Sequence, residues 1–243
     1  MQQNTLVINC GSSSLKFAVI NPQDGHCAIE GLAERLGTQQ ATLSYTQAQQ
    51  SYSVLLAAND HQGAISAVIE QLTHHNLLSS LNGIGHRVVH GGERFSESVI
   101  VNPQILAVLE QLNPLAPLHN PVNILGIKAM FKLLPELTQV AVFDTAFHQT
   151  LPQHAYLYAL PYEYYNNDGV RRYGFHGSSF RYVSQQAAKQ LNKPLNESNL
   201  LIAHLGNGCS ACAIKNGISV DTSMGLTPLE GLAMGTRSGD IDP

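Results

Sequence analysis

Along the first sixty residues apolar and polar positions alternate with the period of half-buried strands. Thr5 to Asn9 and Leu15 to Ile20 read as strands flanking Gly11-Ser12-Ser13-Ser14, and Asn21-Pro22-Gln23-Asp24-Gly25 closes the second one with a turn. Further strands are predicted at 27–34, 41–46 and 50–57. From His61 to Asn76 the period changes, and Ala64, Ile65, Val68, Ile69 and Leu72 fall on one face of a helix. Ile84 to Val89 returns to strand spacing, helices are predicted near 103–112 and 121–134, and Val140 to Asp144 reads as a buried strand ending in a carboxylate.

A second half is expected from about residue 150, where Leu151-Pro152 and Leu160-Pro161 punctuate the chain. Ser178 to Leu191 is predicted as a serine-capped helix with Phe180, Val183, Ala187 and Leu191 on one face. Leu200 to His204 reads as a strand. Ser210 to Ile214 and Ile218 to Asp221 form a predicted hairpin across Lys215-Asn216-Gly217. Thr227, Pro228 and Glu230 suit the cap, first-turn proline and third-position acid of a capping box. The helix it predicts ends at Gly235 and delivers Arg237 and Asp240 in a polar loop.

The two halves echo each other. Without gaps, LVINCGSSSLKFAVIN (6–21) set on LIAHLGNGCSACAIKN (201–216) matches Leu6 with Leu201, Gly11 with Gly206, Ala18 with Ala213 and Asn21 with Asn216. Val7 and Val19 meet isoleucines, and the small-residue turn falls at the same place. The pattern points to two related domains, each presenting a tight polar loop.

Composition narrows the function. A chain of 243 residues with 44% hydrophobic and 12% charged residues has material for a core in one or two domains. Its net charge of -4, with no run of Lys or Arg, offers no footprint for nucleic acid or an anionic membrane, so a small-molecule partner is expected. With no basic and apolar leader and no stretch of ~18 apolar residues, a cytoplasmic protein is expected. The four cysteines are too few and scattered for a disulfide framework. Cys209 and Cys212, three apart on a predicted strand, point to opposite faces and cannot share a metal.

Two small-residue hairpin loops suit a phosphate chain held from two sides, because glycine lets backbone N–H groups approach oxygens and serine adds donors. Neither loop is a Walker A or a dinucleotide fingerprint. In GHRVVHGG, strand alternation puts Arg87 and Val89 on one face and His86 and His90 on the other. Arg87 beside Val89 suits a small carboxylate with a short alkyl tail, or equally a structural ion pair. Asp144 at a strand end suits orienting a nucleophile, helping hold a metal, or capping the turn at Thr145. His119 and His176 sit in Pro- and Gly-flanked loops, and Arg237 in its polar loop suits neutralising phosphoryl charge.

Together INCGSSSLKF, GHRVVHGGERF, APLHNP, VFDTAFHQT, RRYGFHG, HLGNG and DTSMGLTPLEGLAMGTRSGDIDP resemble, in order and over nearly all of the chain, the acetate and propionate kinase family of the sugar kinase, Hsc70 and actin superfold. The resemblance implies an α/β fold of duplicated actin-like ATPase (ribonuclease H-like) domains: 1–149 first, lacking its returning C-terminal helix, then 150–243 as the first part of an incomplete, nucleotide-binding second. It implies reversible phosphoryl transfer from ATP to acetate, giving acetyl phosphate and ADP, with Mg2+ or Mn2+. Propionate as acceptor, and a non-catalytic remnant that binds carboxylate or phosphate, are the alternatives.

Carried onto this chain, Arg87 and Arg237 would bind the carboxylate and the transferring phosphoryl, His176 would stabilise the transition state and His119 would assist. Asp144 would position acetate, and Asn9 would sit near the metal and phosphates, with Ser12, Ser14 and Lys16 in the same loop. His204, Gly206, Asn207 and Gly208 would contact ATP phosphates. Val89, Leu118, Phe175 and Pro228 would wall the methyl pocket. Two departures stand out: Phe180 replaces a family histidine, and the family continues past GDIDP with adenine-binding loops, a magnesium-binding glutamate and a closing helix. A truncated chain that binds ATP weakly is therefore expected, from a family that is typically homodimeric.

Overall fold

The computed structural model describes residues 3–242. They divide into two units, one of residues 3–88 and 99–142, the other of residues 89–98 and 143–242. The sequence-based join at 149/150 thus lies beyond the point where contacts divide, and residues 89–98 go with the second unit.

In the first unit the strands are β1 (Asn4–Cys10), β2 (Leu15–Ile20), β3 (Cys27–Glu34), β4 (Thr42–Gln47) and β5 (Gln50–Leu55). They are joined by α1 (His61–His74), β6 (Leu81–Val88), the two-residue β7 (Val99–Ile100), α2 (Pro103–Gln111), α3 (Asn120–Leu133) and β8 (Thr138–Phe143). The sheet order is β5-β4-β3-β2-β1-β6-β8-β7. β1 lies antiparallel to β2 and parallel to β6, so the N-terminal hairpin joins the later strands at its first strand. Alternation along β1 buries Leu6, Ile8 and Cys10 with Leu15, Phe17 and Val19 of β2 against Ala64, Ile65, Val68 and Leu72 of α1 and Met130 of α3. The opposite face carries Val7, Asn9, Lys16 and Glu30 and lines an open concavity of about 500 Å³. Local chemistry starts the helices: the Asp60 carboxylate accepts from Gly63 N–H (2.7 Å), and the Asn102 side chain from Ile105 N–H (2.8 Å).

In the second unit come α4 (Gln153–Tyr156), α5 (Tyr162–Asp168), α6 (Gly177–Gln190) and an antiparallel sheet of β9 (Leu200–Leu205), β10 (Cys209–Lys215) and β11 (Ile218–Thr222), in the order β11-β10-β9. α6 packs on this sheet through Phe180, which joins Ile202, Cys212 and Ile214 in a buried cluster. The position where the resemblance expects a histidine is thus filled by a core side chain. The predicted apolar stripe is corrected: Gly177, Phe180, Ser184 and Ala188 are buried, while Val183 and Leu191 are exposed. The cap is corrected too. His176, with φ 60°, occupies the cap position, and Ser178 and Ser179 lie inside the first turn.

No helix forms over 227–235. The capping box fails because Glu230 is taken elsewhere: one oxygen accepts from Tyr158 Oη (2.5 Å) and the other pairs with the Arg172 guanidinium. A carboxylate so held cannot fold back on the Thr227 N–H.

The sequence echo corresponds to two antiparallel hairpins, β1–β2 and β9–β10, each with its third strand added beside the second. Its gapless register is wrong by one residue in the first strand. Residues 11–14 separate the paired Cys10 and Leu15, whereas only residues 206–208 separate Leu205 and Cys209. Leu201, matched to buried Leu6, is 81% exposed. Slipping one residue sets buried Ile8 on Ile202 and exposed Val7 on Leu201, as the period of two requires. Asn9 and Lys16 then correspond to Ala203 and Ala211, so polar side chains of the first hairpin have no counterparts in the second.

Candidate active site

The loop of the first hairpin is anchored by side chains and by its own backbone. In the first unit Gly11 N–H donates to Ser14 O (2.8 Å), closing the turn that exposes Ser12. Two carbonyls at its start are held by side chains from different helices. Asn123 Nδ2 of α3 donates to Cys10 O (2.7 Å), and His61 Nε2 of α1 donates to Gly11 O (2.6 Å). Leu36 N–H also occupies Ser13 O (3.1 Å), so the carbonyls of Cys10, Gly11, Ser13 and Ser14 are all taken while the hydroxyls of Ser12 and Ser13 are exposed, which suits an anion. Neither anchor is legible from local pattern, since each partner lies far along the chain.

Asn9 pairs across the hairpin with Lys16, and the parallel neighbour β6 brings Arg87 Nη1 to Asn9 Oδ1 at 3.3 Å. The first unit therefore collects Asn9, Lys16 and Arg87 at one end of its central strands. His86, on the other face, is buried against the Gln139 amide (2.7 Å), and burial lowers its pKa to about 4. His119 precedes α3 as its cap residue, and Leu118 beside it is 73% exposed.

In the second unit the residues expected to act on phosphate converge. His176 Nδ1 lies 2.8 Å from Ser210 Oγ, and its ring stacks on His204 with centroids 4.1 Å apart. His204 Nδ1 is held in turn by Ser179 Oγ at 2.9 Å. A methyl group on Gly208 would lie 2.6 Å from Arg237 Nη2 and 3.5 Å from His176 Nε2. Glycine there is what lets guanidinium, imidazole and loop backbone share one space. Arg237 Nη1 donates to Pro228 O (2.6 Å), which aims the guanidinium and accounts for Pro228 through its backbone.

Val89 and Phe175 are buried together with Met224, and Met234 packs against them. Met224 is the member that sequence reasoning missed, although DTSMGL was among the quoted motifs. Its loop is held by Arg172, whose Nη1 reaches the carbonyls of Thr222, Ser223 and Met224 at 3.1 Å each. Asp144 is buried just beyond β8, and its carbonyl accepts the Gly177 N–H (2.8 Å) at the start of α6. Nearby, His90 Nδ1 accepts from Gly92 N–H (3.0 Å), its ring edge-on to Tyr173, and burial lowers its pKa to about 4. Among the described residues no group of three or more His, Cys, Asp or Glu is placed to hold a metal, and no helix is long and apolar enough to cross a membrane.

Known proteins match this chain along nearly all of its length. The acetate kinase of Ectopseudomonas mendocina is 57% identical over 241 residues, which are 99% of this chain and 61% of that protein. The acetate kinase of Chromobacterium violaceum is 55% identical over all of this chain and 61% of its own length. Among solved structures, a propionate kinase from Francisella tularensis superposes with a TM-score of 0.95 at 47% identity, and Porphyromonas gingivalis acetate kinase with 0.94 at 45%. Each superposition covers 99% of this chain and 62% of the other, so the mixed α/β architecture is that of these kinases and this chain spans about three fifths of their length. The acetokinase family model matches residues 4–243, and the chain belongs to that family.

Proposed function

We propose that this chain carries the acetate side and both phosphate loops of an ATP:acetate phosphotransferase. The observation that carries the reading is the meeting of His176, Gly208 and Arg237 in the second unit. In the reaction an acetate oxygen forms a bond to the γ-phosphorus in line with the bridging oxygen, whose bond to that phosphorus breaks as ADP leaves. No proton need move, so catalysis rests on positioning and charge neutralisation. Arg87 and Arg237 neutralise the carboxylate and phosphoryl oxygens, His176 donates to the transferring group and His119 assists. Asp144 orients the acetate. By the resemblance, Ser12, Ser14 and Lys16 of the first unit and His204, Gly206, Asn207 and Gly208 of the second are phosphate contacts, and Val89 and Phe175, buried with Met224, receive the methyl group.

Bound Mg2+ or Mn2+ would screen the phosphates. This chain's described residues build no cage for it, and Asn9, the ligand the resemblance suggests, directs its Oδ1 at the Arg87 guanidinium. Magnesium bound with a nucleotide needs only one or two protein ligands, which fits a sparse site. A cytoplasmic homodimer belongs to the same reading. The F. tularensis propionate kinase supports a second acceptor, one carbon longer in the Val89–Phe175–Met224 cluster.

The test is acetyl phosphate formation from ATP and acetate by the 243-residue chain, trapped as hydroxamate, with propionate run in parallel. Product above a His176→Ala control is expected. Absence of product together with absence of acetyl phosphate binding by calorimetry would overturn the kinase reading, and faster turnover of propionate would transfer it to the longer acid.

A further inference from the structure

His148 lies in a 3-10 turn just after β8 and is fully buried. Its Nε2 is 3.0 Å from the Phe175 carbonyl, and its Nδ1 is 2.8 Å from Ser219 Oγ on β11. A carbonyl only accepts, so Nε2 carries the hydrogen; in the neutral ring Nδ1 then accepts from the Ser219 hydroxyl. Cys212 Sγ on β10 lies 3.4 Å from that hydroxyl and 3.6 Å from the Ala213 carbonyl, the two acceptors within reach of its one hydrogen. One tautomer therefore ties β11 to the loop before α6 in a single directional chain. Thr150 Oγ1 donates to Ser219 O (2.7 Å), and Phe180 meets the His148 ring edge-on, so the ring cannot drift.

The bond to Phe175 is placed where it matters. The Phe175 carbonyl belongs to the peptide that joins it to His176, and His176 has φ 60°, a conformation that costs a non-glycine residue of order 1–3 kcal/mol unless its surroundings impose it. On the same turn Gly174 has φ 72°, and a methyl group there would lie 2.8 Å from His148 Cδ2. The imidazole thus packs directly beneath the turn whose last peptide it grips. The turn decides where the His176 ring points.

We propose that His148 is a positioning residue of this site, holding the Phe175–His176 peptide so that the His176 imidazole faces Ser210, His204 and Gly208. Its kinetic consequence rests on the kinase reading; its structural consequence does not. The test uses the 243-residue chain labelled with 15N histidine, with the His176 signal identified by its loss in His176→Gln. Long-range 1H–15N spectra of the unsubstituted chain are expected to show His148 protonated at Nε2. In His148→Leu the His176 ring signals should shift and broaden and kcat should fall about tenfold or more, with KM for ATP within about twofold. His148→Gln, whose amide nitrogen reaches the Nε2 position, should recover most of both.

Protonation at Nδ1 in the unsubstituted chain would overturn the proposal, as would unchanged His176 signals in a folded His148→Leu protein. The tautomer is measured without any substitution, so a variant that fails to fold leaves that result decisive. A chain with no kinase activity would count against the phosphotransferase reading alone, because the spectra still decide the role of His148.

Discussion

The His176 ring lies on the His204 ring with centroids 4.1 Å apart and planes inclined by 23°. Each ring is also held at Nδ1 by a serine, Ser210 for His176 and Ser179 for His204, so the pair is oriented from both sides. Stacked rings contribute about 0.5–1.5 kcal/mol beyond burial, enough to bias one ring orientation up to about tenfold. His204→Ala is therefore expected to lower kcat by about tenfold, and His204→Phe, which keeps a ring, by less than half as much on a logarithmic scale. Steady-state rates by the hydroxamate assay check this, with equal losses in the two variants counting against the stack.

Gly208→Ala should be more damaging than its size suggests. The added methyl would stand 2.6 Å from Arg237 Nη2, so the guanidinium must swing away while the loop, which is on the surface, still forms. Losing one aimed donor to a transition-state oxygen costs about 3 kcal/mol, about a hundredfold in rate. Arg237→Ala and Arg87→Ala should lose at least as much. Near-normal turnover in any of the three, with unchanged circular dichroism, would remove that residue from the mechanism.

Why the strands were legible and the end of the chain was not follows from where each signal resides. Alternation in β1, β2 and β6 is a local consequence of one buried face, and the motifs around Arg87, His176 and Gly208 mark close approaches of backbone and charge. The capping box at Thr227 to Glu230 is also a correct local signal, but Arg172 and Tyr158 claim Glu230 across 58 and 72 residues. The repeat shows the same limit, since Leu6 and Leu201 match in identity while facing opposite ways, because one hairpin loop is a residue shorter. His61, His148 and Met224 act only through distant partners, and no period announces them.

The Glu230 network should be visible in stability. Its carboxylate receives Tyr158 and the Arg172 guanidinium, and the same Arg172 holds the Thr222–Met224 carbonyls. Tyr158 has its pKa raised by burial and by the bond it donates to Glu230. Glu230→Ala leaves a half-buried guanidinium and a phenol without their acceptor, a loss of about 2 kcal/mol. Urea unfolding of the second unit should move to lower concentration accordingly, and an unchanged midpoint would show that the network is replaceable by water.

Acid should unfold the protein earlier than its carboxylates alone would require. His86, His90 and His148 are each lowered from 6.5 to about 4, chiefly by burial, with smaller opposing influences from Gln139 at His86 and from the Phe175 carbonyl and Asp144 at His148. Between those values the unfolded chain binds protons that the folded chain refuses. Stability from these neutral rings is complete above about pH 6.5, falls as the pH drops through the window, and levels off below about pH 4. Each ring contributes a slope of up to about 1.4 kcal/mol per pH unit. His86 lies in the first unit and the other two in the second, so both units should weaken, and the second more steeply. Urea midpoints at pH 7.5, 6 and 5 measure the slope. Folded His148→Gln should flatten it for the second unit, and a midpoint constant from pH 7.5 to 5 would mean that these rings titrate in place.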